Sequence, residues 1–293
     1  MNIGVLTIND FSFHPNSRLK QAAQDSGNEI ILINPYDILC SLKGSRFEFF
    51  IEKQYKKLDV IMPRQGSPMG DYGLVLLRQF MHSKIPLVNS LKGVTIARNQ
   101  FITLQTLVSS GLNVPSTIFI TKPESFLSAV KQLGGFPVVA KQVDGMGGDG
   151  VIKISSQPEA KAFLTRFLNP GKGLLVQQFI NPQERTDIRV FVIGDKIAGA
   201  MALVPDSRDF RTNIHQKGHA RPVELTKACA SIALKAAKAC QLQIAGIDLI
   251  VEKGGPPLLL EVNYSPGFKG LEAATGKDIA KQILAYVTST YNN

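Results

Sequence analysis

Short apolar runs alternate with amphipathic stretches through the first third of the chain. The segments "IGVLTI", "NEIILINP", "LDVIMPR" and "IPLVNS" have strand length and β-branched content, and helical periodicity separates them around "SRLKQAAQDSG" and "YGLVLLRQFMHSK". This rhythm predicts a parallel sheet with helices on its faces. A longer helical pattern, "GVTIARNQFITLQTLVSSG", stops at Gly111; "NVPSTIFI" then reads as a strand and "PESFLSAVKQLGG" as a helix that again ends in glycine. From "FPVVAKQV" onward strands dominate, with "GVIKISS", "GLLVQQFI", "DIRVFVIG" and "KIAGAMALVP" in order and one helix, "PEAKAFLTRFL", among them, so a largely antiparallel sheet is predicted there. The chain closes with a helix at "LTKACASIALKAAKACQ", two strands and a helix at "GKDIAKQILAYVTS". The expected class is α/β, with α+β character in the C-terminal part. Its divisions are a parallel-sheet domain over residues 1–95, a central unit over 96–180 and a C-terminal unit over 181–293.

Composition narrows the class. The 293 residues, 44% of them hydrophobic, exceed one typical domain of about 100–150 residues and suffice for buried cores. The opening "MNIGVLTIND" lacks a basic leader region, and no stretch reaches about 18 uninterrupted apolar residues, so a cytoplasmic chain that does not enter a membrane is expected. Cys40, Cys229 and Cys240 are odd in number and lack CxxC spacing, which predicts reduced, buried thiols rather than disulfides or a thiolate metal site. Lys and Arg number 33 against 23 Asp and Glu, and the net charge of +10 suits anionic partners such as nucleotide phosphates or acidic peptides. The absence of an RNP-type aromatic motif, a helix-turn-helix signal or a basic tract disfavours nucleic acid. A homo-oligomer is compatible with this composition.

Two segments carry the candidate chemistry. In "VVAKQVDGMGGDGVIKIS", Gly145, Gly147 and Gly150 satisfy GxGxxG, but the β-branched alternation of "VIKIS" follows in place of a helix. The glycines therefore bridge two strands of a hairpin, and a dinucleotide fold is disfavoured. Such a tip can wrap phosphates with its backbone N–H groups while Lys141, at the end of the preceding strand, sets an ammonium against the same anion. In "LLLEVNYSPGFKG", Glu261 and Asn263 share one face of a strand that ends in a Ser-Pro-Gly turn. Folding the preceding "IAGIDLIVE" back about the midpoint of Gly254 and Gly255 puts Asp248 opposite Glu261, with Cβ atoms about 4.5–5.5 Å apart. Two carboxylates so placed repel unless a cation lies between them. Asp248, Glu261 and Asn263, all oxygen donors, suit magnesium or manganese held together with substrate phosphates. His215 and His219 share HxxxH spacing, but Gly218 and Thr212-Asn213 argue against the helix a zinc pair needs.

Taken together, these stretches resemble the ATP-grasp ligases, and within them the RimK-type α-L-glutamate ligases, over essentially the whole chain. The resemblance rests on "VIMPRQG", "YGLVLLRQF", "VVAKQVDGMGGDGV", "VQQFI", "DIRVFVIGD", "DFRTNIHQKG", "AGIDLI" and, most specifically, "LLEVNYSPGFKGLEAATGKDIA". It implies an ATP-grasp fold behind a pre-ATP-grasp domain. It implies Lys141, Gly145, Gly147 and Gly148 on the nucleotide phosphates, the hinge Gln178, Phe179 and Ile180 on adenine, and Asp187 on the ribose. Arg211 would meet the transferred phosphate or acyl group and Asn213 would join the residues that bind the nucleotide, with Arg189 beside Lys141 and Arg211 in the catalytic set. Asp248, Glu261 and Asn263 would hold two Mg2+ or Mn2+ ions. The implied reaction is amide formation through an acyl phosphate, joining L-glutamate or a similar amino acid to an acidic acceptor, either a protein C-terminus or a small molecule.

The sequence departs from the family pattern at two places. Asn99-Gln100 stands where members usually carry Asp-Lys, so a phosphate-contacting lysine is missing, and Gln178 replaces a glutamate that commonly accepts from the adenine amino group. Arg208, Arg211, Lys217 and Arg221 form a basic run suited to anionic substrate. The competing readings are a non-catalytic ATP-grasp-like binding protein and a related ligase using another amino acid or a carrier-protein or coenzyme acceptor.

Overall fold

In this computed structural model, residues 1–52, 57–64, 70–145, 150–204 and 219–291 are described. The first of them form β1 (Asn2–Leu6), α1 (His14–Asp25), β2 (Glu29–Ile33), β3 (Ile38–Lys43), β4 (Arg46–Ile51), β5 (Val60–Pro63) and α2 (Gly70–His82). The parallel sheet runs β2-β1-β5, and both of its faces are covered. Ile3 and Val5 pack toward α1, while Leu6, Ile33 and Ile61 meet Leu76, Leu77 and Phe80 of α2. Burial on both sides explains why these strands read as unbroken apolar runs.

Three predictions for this region need correction. The segment "IPLVNS" contributes only a parallel bridge between Ile61 and Leu87, because the next residues are captured elsewhere: Asn89 bonds to a distant strand and Ser90 caps a helix. The antiparallel hairpin of β3 and β4 was not expected. Cys40 lies on it and is exposed, whereas Cys229 and Cys240 are buried.

The middle of the chain forms α3 (Leu91–Ala97), α4 (Gln100–Ser109), β6 (Thr117–Ile120), α5 (Ser125–Gln132), β7 (Val138–Gln142), β8 (Val151–Ile154), α6 (Gln157–Phe167) and β9 (Leu174–Gln178). The single long helix expected here is two. Asn99 Oδ1 accepts from the amides of Phe101 and Ile102, which starts α4 afresh, since asparagine favours a cap over a helix interior. The four strands pair antiparallel in the order β6-β9-β7-β8, over a core in which Phe126 of α5 and Phe163 of α6 meet Val138, Leu174 and Val176.

The remaining described residues form β10 (Arg185–Ile193), β11 (Lys196–Val204), β12 (His219–Pro222), α7 (Lys227–Ala239), β13 (Ile244–Glu252), β14 (Pro257–Asn263), α8 (Lys269–Thr275) and α9 (Ile279–Tyr291). Of these, β12 and α8 had no clear sequence signal. The strands make an antiparallel sheet in the order β12-β11-β10-β13-β14. Val190, Val192, Ile247, Leu249 and Val262 line the face under α7. The opposite face carries Phe191 and Met201 into the core shared with α1 and α9, and further along it opens as a cleft.

The Asp248–Glu261 register holds, by a route the sequence did not disclose. Near the turn the pairs are Val251–Pro257, Ile250–Leu258 and Leu249–Leu259, centred on Gly254. A bulge then leaves Leu260 over, and the pairing resumes as Asp248–Glu261, Ile247–Val262 and Gly246–Asn263. Leu259 and Val262 therefore both reach the α7 core although three positions apart, and Leu260 and Glu261 both face the cleft.

Asn89 ties the parallel sheet to this layer. Its Nδ2 donates to the carbonyls of Ile244 and Tyr264, both at 2.7 Å, and its Oδ1 accepts from the amides of Gln243 and Ile244, also at 2.7 Å. The side chain is 2% exposed, so no water can replace these partners. Asn89→Ala is expected to lower the unfolding free energy by ~3–5 kcal/mol, because buried backbone groups lose their partners at about 1–3 kcal/mol each with partial relaxation. Urea titration followed by circular dichroism measures it, and a change under about 1 kcal/mol would show that the pin contributes little.

Candidate active site

Strand alternation sorts the residues on the open face of the C-terminal sheet into rows. One row is Leu203, Asp187 and Ile250; the next is Met201, Arg189, Asp248 and Glu261; the third is Phe191, Gly246 and Asn263. Successive rows stand about 7 Å apart, two residues along each strand. The middle row is a continuous charged ladder. Arg189 donates from Nε to Asp248 Oδ1 at 2.7 Å and from an Nη to Asp248 Oδ2 at 2.6 Å, a bidentate pair, with Glu261 on the far side of Asp248. Asn263 Nδ2 approaches Asp248 Oδ2 at 3.4 Å from the third row.

The sheet of β6–β9 forms the opposite wall. Lys141 near the end of β7 is buried, and its ammonium donates to Gln177 Oε1 at 2.6 Å; Gln177 in turn donates to Thr117 Oγ1 at 2.8 Å. Gln100, Gln142, Gly145 and Gln178 line the same cleft, which has a cavity volume of about 100 Å³ and opens to solvent. The apolar lining comes from Pro115, Val139, Ile250 and Leu260. The cleft thus has a polar, charged end and an apolar end.

Burial sets the electrostatics. It pushes the Lys141 ammonium down to about 8, against the pull of Glu261 and Asp248. Burial and then the Asp248 charge push Glu261 above the usual carboxylate range, with Arg189 and Lys141 acting the other way. For Arg189, burial disfavours the charge, but the Asp248 carboxylate more than offsets it and the net shift is upward. Two carboxylates in this setting favour an added cation. Among the described residues no cluster of three or more His, Cys, Asp or Glu is present, so a hard divalent ion would use Asp248, Glu261 and the Asn263 carboxamide and complete its shell from outside the protein.

The sequence-derived candidates are distributed as follows. Lys141, Gly145, Gln178, Asp187, Arg189, Asp248 and Glu261 converge on the cleft. Asn263 joins it through Asp248. Phe179 and Ile180 follow Gln178 but are outside the cleft lining; Lys153 Nζ stands 4.6 Å from the Phe179 ring centroid, and the Ile180 carbonyl accepts from Arg185. Arg221 is exposed on β12, away from the lining. Gly147, Gly148, Arg211 and Asn213, with Arg208, His215 and Lys217, lie outside the described residues. Sequence reasoning missed Gln177, Leu260 and Arg185. Arg185 pairs with Asp187 through Nε to Oδ1 at 2.7 Å and an Nη to Oδ2 at 3.0 Å. An Arg two residues before an Asp on a strand, hence on one face, was the available signal.

Comparison with known proteins shows the family. Residues 1–94 match the RimK PreATP-grasp domain and residues 97–287 the RimK-like ATP-grasp domain. A probable alpha-L-glutamate ligase 1 from Shewanella amazonensis is 34% identical over 288 residues, covering 98% of this chain and 95% of the relative. The crystal structure of a RimK domain ATP-grasp protein from Sphaerobacter thermophilus superposes with a TM-score of 0.74 at 20% identity, covering 98% of this chain and 99% of that one. The ATP-grasp ligase PsnB, complexed with a phosphomimetic variant of its minimal precursor, Mg and ADP, gives a TM-score of 0.74 at 19% identity, covering 99% and 98%. With both family domains matched in order along nearly the whole chain, the protein belongs to the RimK-like ATP-grasp family.

Proposed function

We propose that the protein is an ATP- and Mg2+-dependent carboxylate–amine ligase of the α-L-glutamate ligase type. The observation that carries this reading is the Arg189–Asp248–Glu261 ladder facing the buried Lys141 ammonium across one cleft. Lys141 and Gly145 serve the ATP phosphates, the segment from Gln178 to Ile180 the adenine, and Asp187, held by Arg185, the ribose. Asp248, Glu261 and Asn263 are the ligands for up to two divalent ions, which when bound would neutralise phosphate charge. Arg211, Asn213, Gly147 and Gly148 are assigned by family resemblance alone.

In the proposed reaction a substrate carboxylate oxygen attacks the γ-phosphorus of ATP, releasing ADP and forming an acyl phosphate. The amine of L-glutamate then attacks the acyl carbon, inorganic phosphate leaves, and the amine gives up one proton as the amide forms. No protein nucleophile is required; the chain supplies positioning and charge compensation in a cleft with restricted water. Arg189 orients Asp248 through its bidentate pair, and Lys141 brings a cation to the phosphates. The acceptor is an acidic group, on a protein C-terminus or a small molecule. Incubating the enzyme with ATP, Mg2+, labelled glutamate and cell extract, then surveying proteins and metabolites by mass spectrometry, is expected to show a glutamylated product with equivalent ADP. No ADP and no label transfer would overturn the reading.

Glu261→Gln and Asp248→Asn are each expected to abolish ADP formation. The first should leave the thermal midpoint equal or higher, because removing a charge already disfavoured by burial and by Asp248 relieves repulsion. Full turnover in either variant would dismiss the metal assignment. Lys141 supplies a pH test. With its value near 8 in the free protein, about half the molecules lack that proton at pH 8, and phosphates facing the amine restore it. The bound state then holds more protons than the free one, so affinity falls as pH rises through 8. Calorimetry with a non-hydrolysable ATP analogue in buffers of different ionisation enthalpy is expected to show uptake of about half a proton at pH 8, absent in Lys141→Met. Gln100 lines the cleft. Gln100→Lys is expected to tighten ATP binding by ~5–100-fold, the equivalent of a charge-assisted contact of about 1–3 kcal/mol. Tighter binding with no ADP from any substrate offered would favour a non-catalytic binding protein.

A further inference from the structure

Arg64 leaves β5 at the carboxyl edge of the parallel sheet and reaches the turn that follows β14. An Nη of its guanidinium donates to the Pro266 carbonyl at 2.7 Å, and its Cζ stands 5.6 Å from the Phe268 ring centroid. Arg64 as a whole is half-buried, yet its Nε is fully enclosed and has no hydrogen-bond partner. No carboxylate of the described residues pairs with this guanidinium, and burial alone pushes it down to about 10, so it is still charged near neutral pH. A guanidinium that lacks a counter-ion and has an enclosed Nε without a partner is costly unless a ligand supplies the anion.

The surroundings show where that anion would come from. Pro266 sits against Gly246, where an added Cβ would lie 2.8 Å from the Pro266 Cβ, and Phe268 meets Phe191 edge-on at 6.2 Å. Gly246 and Phe191 belong to the row beyond Asp248 and Glu261, so Arg64 lies past the ladder on the side away from Asp187 and Ile250. Across the Phe268 ring stands His14, with centroids 5.9 Å apart, and its Nδ1 is likewise enclosed without a partner, while its Nε2 is 3.5 Å from Glu272 Oε2. The carboxyl edge of a parallel sheet is also where α/β proteins admit their ligands.

Resting on the ligase reading above, we propose that Arg64 binds a carboxylate of the substrate that does not react, beyond the ladder on the side away from the nucleotide. A planar guanidinium with free N–H groups suits a carboxylate in bidentate geometry, and the fixed bond to Pro266 orients it. The reacting group then falls between Arg64 and the ladder.

Arg64→Lys keeps the charge and loses the planar fork. The expected result is a rise of ~10–100-fold in the KM for one carboxylate-bearing substrate, as for loss of a hydrogen bond to a charged group, with the ATP-analogue affinity and thermal midpoint unchanged. Whether the KM for glutamate or for the acceptor rises tells which substrate brings the carboxylate. Unchanged KM values with a lowered melting point would make Arg64 a strut between the two layers and overturn the proposal. A second measurement is independent of turnover. The Arg64 Nε–H resonance, assigned by its loss in Arg64→Lys, is followed in protein holding an ATP analogue and Mg2+. It is expected to shift with glutarate and not with glutaramide; no shift with glutarate removes the subsite. A glutarate shift in protein that forms no amide would sink the ligase reading and leave the subsite standing.

Discussion

Two carboxylates from adjacent strands, Asp248 and Glu261, face each other inside a cleft, and most of the surrounding architecture compensates for that juxtaposition. Like charges at about 5 Å in a poorly solvated site cannot both remain ionised without cations near them. Arg189 answers for Asp248 through two short bonds, and Lys141 adds a positive charge from the opposite sheet. Burial, and after it the remaining repulsion from Asp248, raise the pKa of Glu261. A site in this condition is prepared for a divalent ion and for phosphates, since each would relieve what the other groups leave unbalanced.

The balance requires four strands from two sheets. Arg189 on β10, Asp248 on β13 and Glu261 on β14 are fixed by ladder hydrogen bonds, whereas Lys141 on β7 arrives from a separate sheet and must cross the cleft. Gln177 holds its ammonium meanwhile. Burial lowers the pKa of Lys141, and a neutral carboxamide compensates its charge less than a phosphate would, so the ammonium keeps the capacity to bind an anion. Rigid ladders on one wall and a single buried cation on the other suit chemistry that depends on positioning.

The parallel sheet contributes through its edge. Asn89 grips the start of β13 and the residue after β14, so the two strands that carry the carboxylates are anchored at the end where they meet the first layer. Arg64 reaches the Ser265–Gly267 turn a few residues later. Both contacts fall beside Asn263 and Gly246, which makes this end of the cleft the place where motion of one layer would alter the geometry of the other.

Much of this was legible in one dimension, and the reasons differ by residue. Period-two alternation placed Glu261 and Asn263 on one face, and the β-branched run after Gly150 identified a hairpin where a glycine motif alone suggested a dinucleotide fold. Both are local properties, carried by neighbours in the chain. The register of Asp248 against Glu261 followed from the turn only because the bulge at Leu260 cancelled a half-residue error in its centre, and bulges answer to packing under α7, which alternation does not report. The split between α3 and α4 was written in Asn99 but masked by continuous helical periodicity on either side. Gln177 and Leu260 had no pattern that singled them out, and neither the spacing of Arg185 to Asp187 nor the place of Arg64 in "VIMPRQG" disclosed what each would touch. The sequence by itself determined the order and type of most elements and the residue chemistry of the strand that carries Glu261 and Asn263. Only the tertiary structure decided which charges meet across the cleft and which, like Arg64, are enclosed without an anion, because burial and electrostatic pairing are set by distances between segments that the chain order does not contain.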